Sequence, residues 1–73
     1  MSKIKEIREI TFYDAVGRAE GFVEGTEEQI IDAWQFLNDE CHAYRLQGFF
    51  GRTARSLIEE GIIKEKSNIT WKQ

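Results

Sequence analysis

The sequence predicts a small all-α domain of three helices, with irregular or short-strand N- and C-terminal ends. Its 73 residues, of which 41% are hydrophobic and 32% charged, are enough for one domain. Apolar residues recur at the three- and four-residue spacing of amphipathic helices in three separate segments. Threonine caps and glycine stops bound these segments, and the chain contains no proline that would interrupt them.

The first helix is predicted at about residues 11–21. Thr11 suits the N-cap position because its hydroxyl can accept a hydrogen bond from the backbone N–H of Asp14. Gly17 lies inside the helix and is expected to weaken it by up to about 1 kcal/mol relative to alanine. Gly21 is a typical helix stop. The apolar stripe of this helix consists of Phe12, Ala15, Val16 and Ala19.

The second helix is predicted at about residues 26–41 and has the strongest start signal in the chain. Thr26 and Gln29 have the spacing of a capping box, and Glu27 and Glu28 in the first turn complement the helix dipole. The apolar stripe consists of Ile30, Ala33, Trp34, Leu37 and Cys41, and Ile31 and Phe36 widen it.

The third helix, predicted at about residues 49–60, lies in the stretch GFFGRTARSLIEEG at 48–61. Gly61 provides the stop. Gly48 and Gly51 are expected to let two backbones approach closely at a crossing. The predicted core of the three helices consists of Phe12, Val16, Ala19, Ile30, Trp34, Leu37, Phe50, Ala54, Leu57 and Ile58.

Two segments flank the helical domain of residues 11–63: an N-terminal extension, residues 1–10, and a C-terminal tail, residues 64–73. In the extension, Ile4, Ile7 and Ile10 recur every three residues, which fits neither the helix nor the strand period. Residues 62–71 are read either as two short strands around a polar turn at 66–68 or as an irregular tail. Trp71 is expected to pack, either on the core or against a partner.

The composition argues against an enzyme, a metal site and a cofactor site. The chain has one cysteine, Cys41, and one histidine, His42, whereas a zinc site needs three or four ligands. Paired carboxylates fall at predicted helix ends and polar faces, not in a cleft that would separate their pKa values. No glycine-rich phosphate motif is present. A single thiol, and no apolar run of about 20 residues, favour a protein of the reducing cytoplasm.

Charges are unevenly distributed along the chain. Residues 11–41 carry eight acidic residues and one basic residue, whereas residues 42–73 carry six basic and three acidic residues. Among the basic residues are Arg45, Arg52 and Arg55, and the last two share a helix face. These arginines can pair with the acidic middle segment, contact a protein or contact nucleic-acid phosphates. The sequence pI of about 5.1 argues against a dedicated nucleic-acid binder.

Three stretches resemble a family of small tailed-phage proteins: DAVGRAEGF at 14–22, AWQFL at 33–37 and LQGFFGRTA at 46–54. The likeness covers residues 11–63 and implies phage origin and a compact α domain, but it carries over no functional residue. After the second helix the family has Asp-Thr-Gly, where this chain has Asp39, Glu40 and Cys41. In length and in its short tails, the chain is also similar to the transcription-termination inhibitor of a lytic Xanthomonas phage, which binds host RNA polymerase.

The hypothesis from the sequence is a non-enzymatic phage modulator that acts in the host cytoplasm by binding a host protein, with host RNA polymerase as the first candidate. The alternative is a nucleic-acid-binding accessory protein that uses the arginine cluster. No cofactor or metal is expected, and the oligomeric state is left open. The predicted partner-binding residues are Ile4, Ile7, Arg8, Arg52, Arg55 and Trp71.

Overall fold

The computed structural model describes residues 6–40 and 48–72, which form three helices and two short strands. The elements in chain order are β1 (Ile7–Glu9), α1 (Phe12–Glu20), α2 (Glu27–Asp39), α3 (Gly48–Glu59) and β2 (Thr70–Lys72). The small three-helix domain with short-strand ends is therefore confirmed. Cys41, His42 and Arg45 lie outside the described residues, as does Ile4.

Side-chain caps fix the starts of α1 and α2 as the sequence predicts. The backbone N–H of Asp14 donates to the Thr11 hydroxyl at 3.1 Å. At α2 the Thr26 N–H donates to the Gln29 side-chain oxygen at 2.8 Å, and the Gln29 N–H donates to the Thr26 hydroxyl at 3.1 Å. This reciprocal pair satisfies two backbone donors that the first helical turn leaves free.

The ends of α1 and α3 share one backbone arrangement, the Schellman motif. Gly21 and Gly61 follow the two helices with φ angles of 87° and 77°, a left-handed conformation that favours glycine. The next residue then donates its N–H to a carbonyl five residues back. These bonds join Phe22 to Gly17 at 2.8 Å and Ile62 to Leu57 at 2.9 Å.

A close approach to the backbone occurs at Gly17, where a side chain lies directly over the helix; the close approach predicted for Gly48 and Gly51 stays a prediction. A Cβ atom at Gly17 would lie 2.4 Å from Cγ2 of Val23, which a second bond to the Gly17 carbonyl, 3.1 Å long, folds back onto α1. Within residues 6–40 and 48–72, a Cβ atom at Gly48 would meet the flexible end of Arg52, at 3.5 Å, and no other side chain. Gly17 thus makes room for the chain that leaves α1.

The hydrophobic core surrounds α2, where every residue from 33 to 38 is buried. Of the predicted core, Trp34, Leu37, Phe50 and Ala54 are buried, and the other six residues pack around them in partly buried positions. The predicted core leaves out five buried residues; three lie in the apolar faces of α1 and α2, and two lie in the segments that flank α1 and α3. The five are Ile10, Ala15, Ala33, Phe36 and Ile63.

The two ends of the chain pair with each other in a parallel ribbon. Its register sets Arg8 beside Trp71, with Ile7 beside Thr70 on one side and Glu9 beside Lys72 on the other. Of the two strands considered possible in residues 62–71, only β2 forms. Its partner is the N-terminal extension rather than a neighbouring strand of the tail.

Polar side chains of α2 hold the segment that leads to β2; we call Gln35, Asn38 and Asp39 the C-terminal clamp. The Gln35 amide accepts from the Lys64 N–H and donates to the Lys64 carbonyl, both at 2.7 Å. Asn38 donates to the Glu65 carbonyl at 2.7 Å. Because these side chains occupy backbone groups that a strand would need, the chain at 64–65 stays irregular.

The Gly17→Ala substitution is expected to destabilise the protein by about 1–3 kcal/mol. The helix-propensity gain of about 1 kcal/mol does not offset this cost, because the new methyl group displaces Val23. Urea unfolding of the full chain measures the change. Gly48→Ala is the matched control and should leave stability unchanged or slightly higher, because a Cβ has room there. A stabilised Gly17→Ala variant would contradict the proposed role of Gly17.

Candidate partner-binding surface

The structure divides the predicted partner-binding residues between two places. Ile7, Arg8 and Trp71 lie in the parallel ribbon, and Arg52 and Arg55 lie on α3. Ile7 is 72% exposed, so its side chain is available to a partner. Arg8 and Trp71 are only partly exposed and face α2, where each has an internal partner.

Arg8 attaches β1 to α2 through an ion pair with Asp32, and it also contacts Glu6 at 2.9 Å. Burial raises the pKa of the Asp32 carboxyl above its ordinary value. The Arg8 guanidinium opposes this change, whereas the nearby carboxylate of Glu28 adds to it. The ion pair places β1 against α2, and the cost of burying the carboxylate reduces its net contribution to stability.

Trp71 is held by Asp39, one of the three residues of the C-terminal clamp. Its indole N–H donates to the Asp39 carboxylate at 2.8 Å, and its ring packs edge-on against Phe36 with centroids 5.4 Å apart. The same carboxylate accepts from the Ser67 N–H at 3.1 Å. These contacts give Trp71 an intramolecular role. Its role as a partner anchor stays a prediction.

Arg52 and Arg55 are both exposed on α3. Arg55 lies 3.9 Å from Glu59 of its own helix, an exposed pair that contributes a few tenths of a kcal/mol. Among the described residues, neither arginine forms an ion pair with the acidic segment of residues 11–41. Arg8 forms such an ion pair, with Asp32. The two guanidinium groups therefore face solvent.

An aromatic groove lies where the end of α1 meets the start of α3. Phe22 is 82% exposed on one side of it, and Phe49 is 39% exposed on the other. The Phe49 ring packs on Phe50 with centroids 4.4 Å apart and on Trp34 at 6.5 Å, so one wall of the groove continues into the core. The groove, about 290 Å³ in volume, is lined by Ala19, Glu20, Phe22, Phe49 and Phe50.

The exposure of Phe22 follows from the local sequence. In a Schellman motif, the second residue after the helix usually packs against a side chain in the last turn, at the position occupied here by Gly17. Gly17 has no side chain, and Val23 takes the space above it. At the end of α3 the same position is Leu57, and Ile62 is only 44% exposed. Phe22 was not predicted as a candidate residue from the sequence. Gly17, in the stretch GRAEGF, indicates its exposure, because a glycine at this position offers no side chain for Phe22 to pack on.

Four exposed carboxylates lie at the end of α1, in the link that follows it and in the first turn of α2; we call Glu20, Glu24, Glu27 and Glu28 the acidic rim. Of these, Glu20 lines the aromatic groove. None of the four forms an ion pair within the part of the chain that the structure describes. The acidic rim, which reaches the groove at Glu20, gives the surface a negative potential, which attracts basic partners and repels acidic ones.

Two searches of the described residues have negative results. Residues 6–40 and 48–72 contain no group of three or more histidine, cysteine, aspartate or glutamate side chains that could hold a metal ion. Within the same residues, no helix combines the length and the apolar character that crossing a membrane requires.

Comparison of the chain with protein-family models, with curated proteins and with solved structures gave no match. The resemblance to small tailed-phage proteins therefore stays a prediction from the sequence stretches that carry it.

Replacing Trp71 separates its hydrogen bond from its packing. Trp71→Phe should keep the contact with Phe36 but lose the bond to Asp39, which costs about 1 kcal/mol. Trp71→Ala loses both and should cost about 3 kcal/mol. Urea unfolding gives both values, with Lys72→Ala as the control, since its exposed pair with Glu9 contributes little. Full stability of Trp71→Phe would show that the indole N–H adds nothing to the clamp.

Proposed function

We propose that the protein is a non-enzymatic modulator that binds a partner protein through its aromatic groove. The observation that carries the proposal is Phe22, a large apolar side chain that is 82% exposed on a backbone fixed by the Schellman motif. Aromatic side chains held in place before binding lose little conformational entropy when they enter a partner's pocket. Such residues are frequent energetic centres of protein interfaces.

The partly buried Phe49 complements Phe22 in this proposal. Phe49 is supported from below by Phe50 and Trp34, so it presents a rigid apolar wall. Arg52 follows Phe49 by three residues on α3 and shares its face of the helix. A surface of aromatic residues with an adjacent arginine has the composition of a protein-binding patch.

A binding role also fits the titratable and polar groups of the described residues. Gln35 and Asn38, the buried polar residues, use their amides to hold the backbone at Lys64 and Glu65. Asp39 accepts hydrogen bonds within the C-terminal clamp. An acid–base site needs two titratable groups that converge on a cleft with separated pKa values. The two amides do not titrate, and the Asp39 carboxylate holds the C-terminal segment.

The first partner to test is host RNA polymerase, with action in the host cytoplasm. This choice is supported by the resemblance to tailed-phage proteins, and by the similar length and short tails of a phage inhibitor of transcription termination. The identity of the partner and the position of the binding surface are two separate proposals.

Phe22→Ala and Phe49→Ala should each weaken binding to purified host RNA polymerase by tenfold or more, on the order of 1.4 kcal/mol or above. Phe22→Ala should leave unfolding stability within about 0.5 kcal/mol, because the side chain is exposed. Tyr13→Ala is the matched control, since Tyr13 is 86% exposed outside the groove. Biolayer interferometry with the immobilised full chain measures the affinities.

The outcomes of this experiment are distinct. No binding of the polymerase by the wild-type chain would reject that partner. Binding that Phe22→Ala and Phe49→Ala leave intact would reject the aromatic groove. Ile7→Ala and Arg55→Ala in the same assay test predicted positions away from the groove, and a loss confined to these variants would move the site to the ribbon or to the Arg55 side of α3. Arg52→Ala should weaken binding together with Phe49→Ala, because the two residues share one helix face.

A nucleic-acid-binding role is the second candidate, favoured by the exposed guanidinium groups of Arg52 and Arg55 on α3. Under this alternative a labelled single strand or duplex shifts in an electrophoretic mobility assay at low salt, and the shift weakens as salt rises. Replacing both arginines by alanine should lower the affinity by about tenfold or more. Glu59→Ala, which removes only the partner of Arg55, is the control. Absence of a shift by the wild-type chain at low salt excludes this candidate.

A further inference from the structure

The outer edge of β1 carries backbone groups that nothing in the described chain pairs with. The Thr70 N–H donates to the Glu6 carbonyl at 2.7 Å, and the Ile10 N–H donates to the Lys72 carbonyl at 3.0 Å. Even-numbered residues of this segment therefore face β2, and Ile7 and Glu9 direct their N–H and C=O groups to the opposite edge. The sheet has two strands in the part of the chain that the structure describes, and no described residue pairs with that edge. An open strand edge is a template for another strand.

The sequence around this edge is complementary to itself when one copy runs antiparallel to another. With Ile7 at the centre, Ile7 lies opposite Ile7 of the second copy and Glu6 lies opposite Arg8 of the second copy, twice by symmetry. Opposite charges and apolar pairs across strands stabilise a sheet.

From these two observations we propose that β1 pairs with β1 of a second copy, antiparallel and centred on Ile7, to make a four-stranded sheet in a two-fold symmetric dimer. This inference uses a different surface from the aromatic groove and does not depend on the partner proposed above. The outward N–H and C=O groups of Ile7 make the central pair a hydrogen-bonded one, as the register requires. In a two-fold symmetric dimer, both copies must use the same strand edge. Two identical strands that pair antiparallel through this edge satisfy that requirement.

Competing registers are less favourable. Centring on Arg8 sets Arg8 against Arg8 of the second copy, at the short separation of a non-hydrogen-bonded pair, and Ile7 against Glu9. In a parallel, in-register pair, each charged residue would lie opposite the same residue of the second copy, so like charges would face each other. Only the Ile7 centre gives an apolar pair in the middle with opposite charges on both sides.

Exposure fits the proposed contact. Ile7 is 72% exposed and the Glu6 side chain is 65% exposed, so both can be covered without rearranging the monomer. Arg8 stays on Asp32 and contacts Glu6 of its own chain in the monomer; in the dimer it gains Glu6 of the second copy. The strand is short, so the interface is small and the dimer is weak.

Sedimentation equilibrium of the full chain, from about 10 μM to about 1 mM, tests the proposal. The wild-type chain should shift from monomer to dimer across this range. Ile7→Lys and Ile7→Glu should each weaken dimerisation at least about tenfold, because like charges then face each other at the centre. Mixing the two variants should restore a dimer, because lysine of one chain then faces glutamate of the other. Tyr13→Lys, which charges an equally exposed apolar position outside the ribbon, should dimerise like the wild type.

Four results would overturn the proposal. They are a wild-type chain that stays monomeric at about 1 mM, an Ile7→Lys variant that dimerises normally, a mixture of the two variants that stays monomeric, and a dimer that Phe22→Ala dissolves. The last result would place the contact between copies in the aromatic groove. Circular dichroism of the Ile7 variants provides the folding check, and a loss of helix would move the test to Ile7→Thr, which keeps strand propensity while removing apolar contact.

Discussion

One carboxylate, that of Asp39, joins the C-terminal tail to the helical domain. It accepts hydrogen bonds from the Gln35 amide of its own helix, from the Ser67 backbone and from the Trp71 indole, and thereby holds the tail and β2 at the end of α2. A partly buried network of this kind is favourable only when its members are satisfied together. Because the network holds Trp71 against Phe36, β2 lies where β1 can pair with it, and the ribbon in turn holds Ile10 at the core.

The local signals in the sequence were enough to place the three helices. Thr11 and Thr26 accept the predicted backbone hydrogen bonds, and Gly21 and Gly61 adopt the left-handed conformation that ends a helix. Each of these signals acts within five residues of the chain. The C-terminal clamp could not be read in this way, because Gln35 looks like any polar position of a helix and its partner, Lys64, lies 29 residues away. The spacing of residues along the chain does not indicate that a side chain will bind backbone groups so far away in the sequence.

The candidate site shows the same division between local and distant causes. The exposure of Arg52 and Arg55 follows from the helical stripe of α3 and was predictable from spacing alone. Phe22 was not found, because its exposure depends on the missing side chain of Gly17 and on Val23 filling the space above that glycine. A glycine that was interpreted as a weak point of α1 therefore determines both the path of the link to α2 and the presentation of an aromatic side chain beside the acidic rim.

The parallel direction of the terminal ribbon has a mechanical consequence. Since β1 and β2 run the same way, the chain enters the ribbon at one end and leaves it at the other. A pull that draws the two ends of the protein apart loads the hydrogen bonds between Ile7–Glu9 and Thr70–Lys72 side by side, in shear, instead of opening them one at a time. The helices lie between β1 and β2 in the sequence. When both ends of the protein are pulled, the force therefore acts on the hydrogen bonds between the two strands before it acts on the helices and the core.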